Sequence, residues 1–123
     1  MSTLNITTRR AGAVTIVDLV GQIRLGETNI NLHNALRGLV DAGDKNVLLN
    51  LAGVTHIDSS GLGELVAGYT TIERSGGEMK LENLSERVVD LMTITKLLTV
   101  FDVFEDEATA IASFDGGSTP ASA

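Results

Sequence analysis

Apolar residues in this chain recur at two different intervals, and the change of interval divides it into strands and helices. Leu4 to Arg9 and Val14 to Leu19 are short β-favouring runs on either side of Ala11-Gly12-Ala13, the spacing of an antiparallel hairpin. After Gly21, the residues Ile30, Leu32, Leu36, Leu39 and Val40 fall mostly at helical spacing, and Gly43 stands where a left-handed C-terminal cap is expected. Asn46-Val47-Leu48-Leu49-Asn50-Leu51 is almost continuously apolar, which suits a strand covered on both faces and therefore central in its sheet. Leu62, Leu65, Val66 and Ile72 return to helical intervals up to Gly76-Gly77, and Met79-Lys80-Leu81 opens the next strand. Ser85 is placed to cap a third helix carrying Val88, Val89, Leu91 and Met92. Val100 to Phe104 then reads as a last strand and Asp106 to Phe114 as a last helix.

The predicted order is ββαβαβαβα. Strands separated by helices of this length run parallel with right-handed crossovers. The expected fold is therefore α/β, a mixed and mostly parallel sheet of about five strands packed with helices, its N-terminal hairpin antiparallel. The domain is expected to span residues 1–114. Asp115 to Ala123 holds small and polar residues without an apolar period, cannot repay the entropy of ordering, and is expected to be a disordered tail.

Composition narrows the function classes. A length of 123 residues suits one domain, and with 43% hydrophobic but only 3% aromatic residues the core must rest on Leu, Val, Ile and Ala. No run approaches the roughly 18 apolar residues of a membrane span, and Met1 to Asn5 lacks the basic-then-apolar character of a signal segment, so no membrane association and a cytoplasmic location are expected. Cysteine is absent, which removes disulfides and thiolate metal sites. A net charge of -7 opposes nucleic-acid binding, whose affinity comes largely from Lys and Arg on phosphates. A protein partner is the better expectation, with the oligomeric state left open.

The stretch that carries chemistry is Val54-Thr55-His56-Ile57-Asp58-Ser59-Ser60-Gly61-Leu62-Gly63-Glu64, running from a buried strand region into the second helix. The first N–H groups of a helix lack intrahelical partners and carry partial positive charge, so a phosphate bonded there is well received. Roughly -1.5 to -2 units of added charge would nevertheless change what a docking protein must desolvate or repel. Gly61 and Gly63, lacking Cβ atoms, are expected to let another backbone approach the serine hydroxyl. On the residues alone, the plainer alternative is that Asp58, Ser59 or Ser60 caps the helix while the glycines make a tight turn.

Catalytic and metal readings find little support. His33 and His56 have no second ligand at metal spacing and read as structural, so neither a metal nor any other cofactor is expected. Asp58, Glu64 and Glu73 show no convergence and suit surface or capping roles. Neither serine sits in a Gly-x-Ser-x-Gly elbow, and no Gly-Lys-Ser or Gly-Lys-Thr phosphate loop occurs. A nucleophilic Ser59 would need an activating base that the sequence does not place, and no catalytic residue is assigned.

Asn46-Val47-Leu48-Leu49-Asn50-Leu51 followed by Ile57-Asp58-Ser59-Ser60-Gly61-Leu62-Gly63 resembles the STAS domain of bacterial anti-sigma factor antagonists. Gly21-Gln22-Ile23, Gly76-Gly77-Glu78-Met79-Lys80-Leu81 and Leu97-Leu98-Thr99-Val100-Phe101 continue the likeness, which covers roughly Leu4 to Phe114. The resemblance implies a STAS-like fold and a protein that is not an enzyme. It implies an anti-sigma factor with serine kinase activity as partner, phosphorylation at Ser59 with Ser60 the weaker candidate, and a serine phosphatase that resets the cycle. In its unphosphorylated form such a protein binds the anti-sigma factor and frees a sigma factor for transcription. The docking surface would comprise Arg24, Asp58, Ser59, Ser60, Gly61, Leu62 and Gly63. One departure is Arg24, where several family members carry an acidic residue: it is placed either to steady a phosphate on Ser59 or simply to be solvated. A constitutive STAS scaffold, never phosphorylated, is the alternative implied.

Overall fold

The computed structural model describes residues 4–114. Among them the order is β1 (Leu4–Ala11), β2 (Val14–Ile23), α1 (Glu27–Asp41), β3 (Asn46–Ile57), α2 (Ser59–Arg74), β4 (Glu78–Glu82), α3 (Glu86–Ile94), β5 (Val103–Phe104) and α4 (Glu107–Ala112). A 3-10 turn at Leu97–Thr99 precedes β5. This is the expected ββαβαβαβα order. The expected tail, Asp115 to Ala123, lies outside the described residues. None of the described helices is long and apolar enough to cross a membrane.

The sheet follows chain order, β1-β2-β3-β4-β5, with β1 antiparallel to β2 and the later pairs parallel. Alternation along β3 sends Val47, Leu49 and Leu51 to one face, where they join Leu36 of α1, Leu65 and Ile72 of α2 and Val88 of α3. Leu48 points to the other face, packing with Val14, Ile16, Ala110 and Phe114 beneath α4. Val47, Leu48 and Leu49 are fully buried, as a strand covered on both faces requires.

β1 runs two residues past Arg9 to Ala11 and α4 ends at Ala112 rather than Phe114; three further elements differ from their predicted limits for local reasons. β2 and β3 extend to Ile23 and Ile57 rather than stopping at Leu19 and Leu51. Their pairing jumps between Asp18/Asn50 and Val20/Gly53, and again between Gly21/Val54 and Gln22/His56, so β3 holds an extra residue at each step. These bulges break the alternation from which strand limits are read. Gly53 sits at the first of them, where a Cβ would stand 2.8 Å from Val20 Cγ2. The last strand shrinks to Val103–Phe104 because Phe101 packs edge-on against Tyr69 of α2, with ring centroids 5.4 Å apart, instead of entering the sheet.

Helix limits follow their caps. Asp58, Ser85 and Asp106 each accept a hydrogen bond from a backbone N–H in the first turn of α2, α3 and α4. Gly43 adopts the expected left-handed backbone just beyond α1, with φ 87°.

Candidate functional site

The extension of β2 and β3 carries the chain past the sheet edge, so the β2–α1 turn and the start of α2 lie side by side. They are joined by Asp58. Its backbone N–H donates to the Ile23 carbonyl at 3.2 Å. One carboxylate oxygen, Oδ1, accepts from the Gly61 N–H at 2.9 Å and from the Ser60 hydroxyl at 2.7 Å. The other, Oδ2, accepts from the Leu25 N–H at 3.0 Å. The Leu25 N–H foremost, with Ser60 and Gly61, holds the Asp58 carboxyl down at about 2 against an ordinary 3.8, while burial works the other way.

The helix donors at this end, expected from sequence to be open to an incoming anion, are not all free: Asp58 already occupies the Gly61 N–H and supplies negative charge to the positive end of α2. An anion on Ser59 would share that end with a carboxylate.

The two serines differ in setting. Ser59, the first residue of α2, is exposed. Ser60 is half-buried, and its hydroxyl is committed to Asp58. The two glycines differ as well. Gly61 is buried, and an added Cβ would lie 2.6 Å from the Ile23 carbonyl oxygen and 2.8 Å from Ile57 Cγ1, so its missing side chain lets α2 close onto the ends of β2 and β3. Gly63 is exposed, with nothing within 4 Å of the Cβ position. The openness expected of both therefore belongs to Gly63. Leu62 is only 3% exposed and faces the core.

Arg24 is exposed; its guanidinium donates to Gln22 Oε1 at 3.2 Å, and its backbone N–H donates to Thr28 Oγ1 at 2.9 Å. The Thr28 hydroxyl donates back to the Arg24 carbonyl at 3.0 Å, fixing the turn into α1. Reading the sequence missed Leu25, 80% exposed at this turn, and placed Ile30 in the apolar period of α1, where its position in the first turn instead leaves it 57% exposed beside that turn. The available signal was a leucine directly before Gly26, outside any apolar period.

The other polar residues weighed from sequence lie apart from this constellation. His33 of α1 meets Glu64 of α2 at 2.7 Å. Glu73 hydrogen-bonds Tyr69, whose hydroxyl is shifted upward chiefly by burial and secondarily by that contact. Among the described residues no group of three or more His, Cys, Asp or Glu side chains is arranged to hold a metal ion.

Comparison with known proteins meets this geometry. The model of the STAS domain family matches residues 5–110. The anti-sigma-B factor antagonist of Bacillus subtilis (strain 168) is 34% identical over 87 residues, covering 71% of this chain and 78% of that protein. An anti-sigma factor antagonist from Mycobacterium paratuberculosis superposes with a TM-score of 0.78 at 17% identity, covering 90% of this chain and 93% of that one. The Bacillus cell fate determinant SpoIIAA in its phosphorylated form gives a TM-score of 0.68 at 16% identity, covering 89% and 96%. The two structural likenesses speak for the fold, and the family match with the Bacillus subtilis relative speaks for descent: this chain belongs to the STAS domain family.

Proposed function

We propose that this chain is an anti-sigma factor antagonist that switches partners through Ser59. Unmodified, it binds a cognate anti-sigma factor with serine kinase activity and so releases a sigma factor. Phosphorylated on Ser59, it lets go, and a serine phosphatase restores the binding form. The chain acts as a binding protein, not as an enzyme.

The observation that carries this reading is the contrast between Ser59, exposed at the first position of α2, and Ser60, tied to Asp58. A phosphate on Ser59 brings a second anion to a helix end that Asp58 already occupies. Competition between them for backbone donors loosens the Asp58–Leu25 bond and disturbs the surface formed by Arg24, Leu25, Asp58, Ser59, Ser60 and Gly63. Gly61 and Leu62 serve this surface from beneath, by seating α2 on Ile23 and the core.

The test is to incubate the protein with its cognate kinase and ATP, map the product by mass spectrometry, and measure capture of the anti-sigma factor before and after. Phosphate on Ser59 with loss of capture supports the switch. Capture into stable assemblies with other STAS domains and no modification supports the constitutive scaffold instead.

A further inference from the structure

On the face of the sheet opposite α1 to α3, a polar row crosses the strands. Asp18 of β2 pairs in register with Asn50 of β3, and Asn50 with Glu82 of β4. Arg9 of β1 reaches across this row, donating to Asp18 at 2.6 and 3.1 Å and to Glu107 of α4 at 2.9 and 2.6 Å. Asn50 donates to Asp18 at 2.8 Å and accepts from the Asn83 amide at 3.2 Å.

Glu82 alone is left over. It is fully buried, and among the described residues neither of its carboxyl oxygens receives a donor. Asn50 stands beside it in register, but the side chain that meets its carboxyl is Glu107, and two carboxyls form a hydrogen bond only when one carries a proton. The single guanidinium of Arg9 already serves two carboxylates, so an ionised Glu82 would place a third negative charge in a dry setting. Among the described residues no other cation compensates. Lys80, two residues back on the same face of β4, donates to Ser113 at 2.9 and 3.0 Å, pairs with Glu78 at 3.6 Å and Asp102 at 4.0 Å, and lies 4.8 Å from the centre of the Phe114 ring. Phe104, the neighbour of Glu82 on β5, is uncharged.

We propose that Glu82 is protonated in the closed domain and that the proton it shares with Glu107 latches α4 to the sheet, so that losing it releases α4 and uncovers the apolar cluster beneath. In the release step the Glu82 O–H bond breaks, the proton passes to a buffer base, and three carboxylates face one guanidinium. α4 is the element that yields because it is a single short helix held by Ala110, Phe114 and these polar contacts, whereas Glu82 lies within the sheet. Burial first, and Glu107 second, push the Glu82 carboxyl up to about 8, and Arg9 first, with Glu82 second, holds Glu107 down, which places the proton on Glu82.

Carboxyl-carbon NMR of the full chain, read with hydrogen exchange of the Ala110 and Ser113 amides, tests this. Glu82 is expected to titrate near 8. Above that midpoint the protonated fraction falls about tenfold with each pH unit, and α4 protection, corrected for intrinsic exchange, should fall in step relative to β3. Glu82→Gln keeps a donor for Glu107 and removes the titrating proton, so its α4 protection should be independent of pH over the same range. Titration of Glu82 in the ordinary carboxylate range, or an equal loss of protection in Glu82→Gln, would overturn the latch. If Glu82→Gln does not fold, the wild-type titration decides.

Discussion

The Leu25 N–H donates to the carboxylate of Asp58 across 33 positions of sequence, at 3.0 Å. This bond makes the β2–α1 turn and the start of α2 one electrostatic unit. Ser59 is next to Asp58 in the chain, so a charge placed on it is expected to act on this bond.

Removing the Asp58 carboxylate tests how much the domain depends on this bond. Asp58→Ala deletes a helix cap and the acceptor for Leu25, and is expected to cost about 1–2 kcal/mol in urea unfolding. The pH dependence has a definite sign. The carboxyl titrates at about 2 in the folded chain against 3.8 ordinarily, so as pH falls the unfolded chain takes up the proton first. The stabilisation from this group is intact above 3.8 and is lost as pH drops towards 2. Asp58→Asn should flatten that part of the wild-type curve.

The two glycines of the motif should respond in opposite ways. Gly61→Ala drives a Cβ to 2.6 Å from the Ile23 carbonyl oxygen and is expected to destabilise by about 1–3 kcal/mol. Gly63→Ala meets open space within a helix and is expected to stabilise by about 0.5–1 kcal/mol. Denaturant midpoints of the two variants check both signs in one experiment.

Leu25 separates stability from binding. At 80% exposure its truncation removes almost no buried area, so Leu25→Ala should leave the unfolding midpoint within about 0.5 kcal/mol of wild type. If the surface around Ser59 docks the anti-sigma factor, the same change should weaken that complex by about 1–2 kcal/mol, roughly five- to thirtyfold, in calorimetric titration.

What the sequence disclosed and what it hid follow from the range of the interactions. The element order was legible because the apolar intervals are local and glycines such as Gly43 and Gly76 mark the ends. The far half of β3 was not, because its bulges against β2 break the alternation that defines a strand. Lys80 and Glu82 alternate with Leu81 as though they faced solvent, and only the folding back of α4 buries them. At the site, the Asp-Ser-Ser-Gly run was visible as a helix start. The inward role of Gly61 and the tie from Asp58 to Leu25 join residues distant in sequence and appear only in the fold.

The decisive measurement is the dissociation constant of the cognate anti-sigma factor for four forms of this protein: unmodified, phosphorylated on Ser59, Ser59→Ala and Ser60→Ala. Tight binding by the unmodified protein and both alanine variants, at least about a hundredfold weaker binding by the phosphorylated form (a loss near 2.7 kcal/mol), and no phosphate uptake by Ser59→Ala alone is the expected result. Equal affinity of the phosphorylated and unmodified proteins, or phosphate uptake that persists in Ser59→Ala, would contradict the switch.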